Sequence, residues 1–94
     1  MNKKEFLDKY KCKAVHCPTE ELANEFLKLA YDFGINWMSG DKATEFNFWY
    51  MHKQKTCYII DTELGYADID YWQSENIEII EFKKENKNEN RTNL

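Results

Sequence analysis

The sequence predicts an α+β fold in which a single helix packs on one face of a mainly antiparallel sheet of four to five strands, in β-α-β-β-β-β order. Three observations point to it: one segment with helical apolar spacing, several short segments rich in aromatic and β-branched residues, and polar turns between them. A chain of 94 residues has room for one domain, expected over residues 1–83. Hydrophobic residues make up 43% and aromatics 16%, which is ample for a packed core. Six Phe, six Tyr and three Trp exceed what one small core encloses, so some rings are expected at the surface as interface material.

Lys11 to Cys17 reads as the first strand, closed by Pro18 because proline cannot donate the next ladder hydrogen bond. From Glu20 to Phe33 the residues Leu22, Phe26, Leu29, Ala30 and Phe33 recur at three- and four-residue spacing, the stripe of an amphipathic helix. Thr19 is its expected N-cap, Glu20 and Glu21 suit the positive end of its dipole, and Gly34 can take the left-handed conformation that ends it. Ile35 to Met38 reads as a short strand before the turn Ser39-Gly40-Asp41. Glu45 to Met51 and Thr56 to Asp61 are predicted to form a hairpin across His52-Lys53-Gln54-Lys55. In the first of these, Phe46, Phe48 and Tyr50 alternate with Asn47, Trp49 and Met51, so neither face is polar. Thr62 to Gly65 makes another turn, Tyr66 to Trp72 reads equally as a short strand or a turn of helix, and Ile77 to Phe82 is the last strand. Residues 84–94 carry no large apolar residue before Leu94, and that composition predicts a disordered tail.

The balance of 13 basic and 17 acidic residues gives a formal charge of -4, so direct binding of nucleic acid is not expected. Lys3, Lys4, Lys9, Lys11 and Lys13 crowd the N-terminus and read as a solvated edge, while acids dominate from Asp61 to Glu81. The N-terminus has no apolar run of signal-peptide length and no stretch approaches the ~20 apolar residues of a membrane span, so a cytoplasmic protein is expected. Cys12, Cys17 and Cys57 are expected as free thiols. Together with His16 and His52 they are the only soft-ligand set, and their spacing fits no zinc template, so neither metal nor cofactor is expected. Cys57 lies in the run Thr56-Cys57-Tyr58-Ile59-Ile60, which reads as core rather than as a nucleophile's surroundings. No glycine-rich phosphate loop, dinucleotide fingerprint or nucleophile elbow is present, so no catalytic residue is assigned and an enzyme is not expected.

Two sets of residues are candidates for binding. Asp61, Glu63, Asp68 and Asp70 gather acid around the turn at Leu64-Gly65-Tyr66, and rings and acids interleave from Tyr66 to Trp72. Asp68, Asp70, Tyr71 and Trp72, with Glu63 and Tyr66 at the rim, form the expected partner surface: rings supply desolvated anchors and acids supply steering toward a basic groove. The alternative is a small-ligand site in which Trp37, Trp49 and Tyr50 stack the base of a signalling nucleotide. A third reading is self-association through an aromatic sheet face with an unpaired edge.

Cys17-Pro-Thr-Glu-Glu-Leu leading into the helix, Gly34-Ile-Asn-Trp37-Met-Ser-Gly40 after it, Thr56-Cys-Tyr-Ile-Ile60, and Ile77-Glu-Ile-Ile-Glu-Phe82 form a recognisable series. It resembles small uncharacterised accessory proteins of phages and prophages of low-GC Gram-positive bacteria, over about residues 11 to 83. The resemblance carries over no catalytic or ligand residue. It implies a phage context, in which acidic proteins of this size are similar in character to inhibitors of bacterial immunity such as anti-CRISPR proteins. The expected function is therefore a non-enzymatic inhibitor that binds a host effector, a CRISPR or other immunity complex that handles nucleic acid.

Overall fold

The computed structural model describes residues 1–83, so the predicted tail lies outside the described residues. An N-terminal helix absent from the predicted order opens the chain. This helix, α1 (Lys3–Tyr10), starts at a reciprocal cap: the Asn2 side chain accepts from the Glu5 N–H, and the Asn2 N–H donates to the Glu5 carboxylate, each at 2.8 Å. Phe6 and Tyr10, four residues apart, turn inward and are buried. Strand β1 (Ala14–His16) follows, then α2 (Glu20–Asp32), which agrees closely with the predicted helix. Thr19 caps α2 by accepting from the Leu22 N–H at 3.2 Å, and Gly34 takes φ of 76° just beyond its end. Ala23, Phe26, Leu27 and Ala30 form the buried stripe.

The middle of the chain departs from the prediction. No strand forms over Ile35–Met38; Asn36 and Trp37 make isolated bridges to Lys42 and Leu64. No strand forms over Glu45–Met51 either, where a loop leads into the one-turn helix α3 (Trp49–His52) and a 3-10 turn at Lys53–Lys55. Side chains have taken the carbonyls a ladder would use. The Trp37 indole N–H donates to the carbonyls of Ala43 at 3.3 Å and Phe46 at 3.1 Å, and the Tyr58 hydroxyl donates to the carbonyl of Asn47. Aromatic residues favour strands mainly through what they pack against, and here they pack into the core from a loop.

The hairpin that does form joins β2 (Thr56–Ile60) to β3 (Leu64–Asp68), with Tyr58 opposite Tyr66 and Ile60 opposite Leu64. The ambiguous segment Tyr66 to Trp72 divides at Asp68, whose carboxylate accepts from the Tyr71 N–H at 2.8 Å and starts α4 (Ile69–Ser74). The last strand is β4 (Ile79–Glu81). The sheet order is β3-β2-β1-β4, antiparallel except where β4 runs parallel to β1. A parallel pair needs a crossover connection. The chain therefore passes from one sheet edge to the other through α4, which packs on β1, β3 and β4. Ala14 and Cys57, on the face away from α2, are fully buried. The predicted single helix on one face is thus corrected to helices on both.

On the α2 face, Phe26 meets the rings of Phe6, Tyr10, Phe82 and Tyr58 at centroid distances of 5.6, 5.5, 5.4 and 5.9 Å. Val15, Ile60 and Leu64 fill the rest of that layer. At the rim His16 spans two elements, with Nδ1 2.7 Å from a Glu81 carboxylate oxygen and Nε2 2.7 Å from the Gln54 carbonyl.

Cys17 and Cys57 are buried and Cys12 is exposed. Burial pushes the Cys57 thiol up to about 12 and the Cys17 thiol upward as well. A thiol reagent added to the native protein should therefore label Cys12 fast and the other two only on unfolding; fast labelling of a second thiol would contradict this packing. The sign of the pH dependence follows. The folded state holds these protons more tightly, so stability is whole below the ordinary thiol value of 9.0 and is lost as pH rises toward about 12. Urea midpoints at successive alkaline pH values check the slope.

Candidate partner-binding site

The loop and turns from residue 44 to 55 carry the largest set of outward-facing rings. Phe48, at φ of 53°, occupies the left-handed region that bulky side chains rarely adopt, and Lys53 has φ of 52° with ψ of -128°. These two residues bracket α3, which stays in contact with β2. Beneath it the rings form a ladder. Phe46 stacks on Phe48 at 5.6 Å, Phe48 stacks on Tyr66 at 4.5 Å with planes 4° apart, and Trp37 meets Phe48 edge-on at 4.9 Å. The Tyr66 hydroxyl donates to the Met51 sulfur at 3.1 Å, and the His52 ring lies 6.0 Å from that of Tyr66. The outer surface is left to Phe46, Tyr50 and Met51, which are 47%, 69% and 51% exposed.

Asn47 ties this loop to α2, its side-chain amide donating to the Glu20 carboxylate and to the Asn24 side-chain oxygen Oδ1, both at 2.9 Å. Its own side-chain oxygen accepts from the Trp49 N–H at 2.9 Å. Between the loop and α2 runs an open groove of about 570 Å³, with Asn24, Leu27 and Lys28 on one wall and Phe46, Phe48 and Tyr50 on the other.

The predicted partner surface does not assemble as one face. Tyr66 is half-buried in the ring ladder, and Asp68 shares its side of the sheet but is occupied as the cap of α4. Tyr71 and Trp72 belong to α4, their rings 4.9 Å apart; Tyr71 is half-exposed, while the Trp72 indole N–H is buried and has no partner among the described residues. Asp70 is exposed and pairs with Lys55 at 3.0 Å, and Glu63 is exposed in the β2–β3 turn. The alternation read over Tyr66 to Trp72 breaks because the chain changes from strand to helix at Asp68, and the side-chain period changes with it.

Of the alternative ligand residues, Trp37 is 4% exposed with its N–H already engaged, so it offers no ring face to a ligand. Trp49 is half-buried and donates to the Cys17 carbonyl at 3.1 Å. Tyr50 alone is open, and it lines the groove. Phe46, Phe48 and Met51 were not singled out as site residues, although the ring run with no polar face contained them. Among the described residues no three of His, Cys, Asp or Glu gather where they would hold a metal ion, and no helix is long and apolar enough to cross a membrane. The Cys57 thiol, kept protonated by burial, is a poor nucleophile.

Comparison with protein-family models, with curated proteins and with solved structures finds no match to this chain.

A strained turn costs about 1–3 kcal/mol, which glycine would relieve at the expense of a freer unfolded chain. Lys53→Gly should raise stability by ~1 kcal/mol in urea denaturation. An unchanged or lower midpoint would mean that Lys53 carries no such strain.

Proposed function

We propose that this chain is a non-enzymatic binding protein that grips a partner protein through the ring surface of Phe46, Tyr50 and Met51. The observation that supports this reading is their exposure on a loop pinned at three points by Trp37, Asn47 and Tyr58. Side chains held in place before contact lose little entropy on binding, and aromatic and methionine side chains are the usual anchors of an interface core. Glu63 and Asp70, both exposed, together with the net charge of -4, steer the protein toward a basic partner surface. Tyr66 acts from beneath, as the ring on which Phe48 and Met51 rest. Tyr71, half-exposed on α4, lies apart from this surface.

The resemblance to phage accessory proteins supports a host immunity complex in the bacterial cytoplasm as the target, since such complexes carry basic grooves for nucleic acid. The groove beside Tyr50 favours a second reading, a small-ligand sponge, because its volume falls in the range of small-molecule sites.

A tagged protein and a Phe46→Ala/Tyr50→Ala/Met51→Ala variant, exposed to lysate of a low-GC Gram-positive bacterium, separate these readings. The variant loses the Phe46–Phe48 stack and the Tyr66 hydrogen bond to Met51, so its melting temperature is measured alongside and capture is compared where both chains are folded. The proposal expects a stoichiometric protein captured by the parent chain, lost by the variant and weakened by salt. Equal capture by both would overturn the ring surface, and a heat-released nucleotide with no captured protein would favour the sponge.

A further inference from the structure

The edge of the sheet beside the ring surface has its own chemistry. In β2 the Thr56 carbonyl accepts from the Cys17 N–H at 2.9 Å and the Ile60 carbonyl from the Cys12 N–H at 2.8 Å. Thr56, Tyr58 and Ile60 therefore turn their backbone groups toward β1, and Cys57 and Ile59 turn theirs toward β3. The register pairs Cys57 with Ala67 and Ile59 with Gly65, so Gly65 and Ala67 bond inward. Leu64, Tyr66 and Asp68 consequently direct their N–H and C=O groups away from the sheet.

For Leu64 this direction is seen directly: its N–H donates to the Asn36 carbonyl at 2.9 Å, and Trp37 bridges Leu64 in parallel. The first position of the edge is thus already paired by a strand-like segment. That segment then leaves, through exposed Met38 and a turn at Gly40 with φ of 95°. At the far end the Asp68 carbonyl faces α4 as its N-cap. The Tyr66 N–H, the Tyr66 C=O and the Asp68 N–H remain without a partner among the described residues.

Edges are usually guarded by lysine, proline or a free charge. Leu64-Gly65-Tyr66-Ala67-Asp68 has neither lysine nor proline, and its one charge is held in the α4 cap. The opposite edge, β4, is preceded by exposed Glu78, while its Glu81 pairs with His16.

We infer that the β3 edge takes up an extended segment of the partner as an added strand alongside Tyr66–Asp68, continuing the pairing that Asn36 and Trp37 begin. This rests on the reading of the chain as a protein-binding module and names its mode of recognition. Side chains of the added strand alternate between the two faces of the sheet. One set meets the ring surface at Phe48, Met51 and Tyr66, and the other passes over Ala67. Exposed Glu63 at one end, and Asp70 near the other, where the occupant's cation replaces Lys55 in an exposed ion pair, select basic residues, so the occupant alternates apolar and basic side chains.

The probe is an octapeptide of alternating arginine and valine, added to the full chain while amide hydrogen exchange is followed residue by residue. The amides of Tyr66 and Asp68 should exchange fast in the free protein and at least about tenfold more slowly with the peptide. Gly65 and Ala67, bonded to β2, should stay protected throughout. The same peptide N-methylated at every second residue should give no slowing. Unchanged exchange at Tyr66 and Asp68 with saturating peptide would overturn the inference, as would protection of both before peptide is added. If exchange fails in this way while partner capture still depends on Phe46, Tyr50 and Met51, the added strand falls and the ring surface stands. If capture does not depend on those residues, both fall.

Discussion

The ring of Tyr58 lies fully buried on the central strand β2, stacked on Phe26 with planes 16° apart and edge-on to Trp37 at 6.1 Å, while its hydroxyl reaches out of the core to the Asn47 carbonyl. A buried hydroxyl without an acceptor would cost about 1–3 kcal/mol. The acceptor here belongs to the loop between α2 and α3, so wherever the core is formed that loop is tied to it. Asn47 also bonds α2 through its side chain, and Trp37 holds the neighbouring carbonyls of Ala43 and Phe46. The same environment keeps the Tyr58 hydroxyl protonated, since burial pushes its ionisation upward.

Backbone strain is the counterpart of that anchoring. Left-handed Phe48 and the unusual Lys53 together cost a few kcal/mol at the typical range of about 1–3 each. Bonds from Trp37, Asn47, Trp49 and Tyr58 each return about 1 kcal/mol, and the stacking of Phe48 on Tyr66 adds more. The balance favours an ordered loop that presents Tyr50 and Met51 to solvent. A loop without such anchors would bury those residues or move freely, and either would weaken the proposed docking surface.

The helix Glu20–Asp32 was legible because cap, apolar stripe and terminal glycine all agree within one segment. The strand Thr56–Ile60 was legible for a similar reason, since a run of β-branched and aromatic residues between polar turns has few other uses. By contrast, Glu45–Met51 carries the same residue types and forms a loop and the start of α3, because its partners are Trp37, Tyr58 and Asn24 from distant positions. The helix at Lys3–Tyr10 was hidden by its lysines, although Asn2 and Glu5 have capping-box spacing and Phe6 and Tyr10 share a face. The acidic segment looked like one surface only while its period was unknown; Asp68 caps a helix, and Tyr66 and Trp72 then diverge. Rings were expected at the surface on composition, and which rings those are depended on tertiary contacts that no local pattern contains.

Tyr58→Phe tests most directly whether the core holds the loop, because it keeps the stacked ring and removes the hydroxyl. Amide hydrogen exchange and urea unfolding of this variant should show a loss of about 1–2 kcal/mol, with faster exchange confined to the loop and α3, and with β1 and β2 still protected. Exchange in the loop at the parent rate would contradict the account and mean that the ring surface keeps its shape without Tyr58.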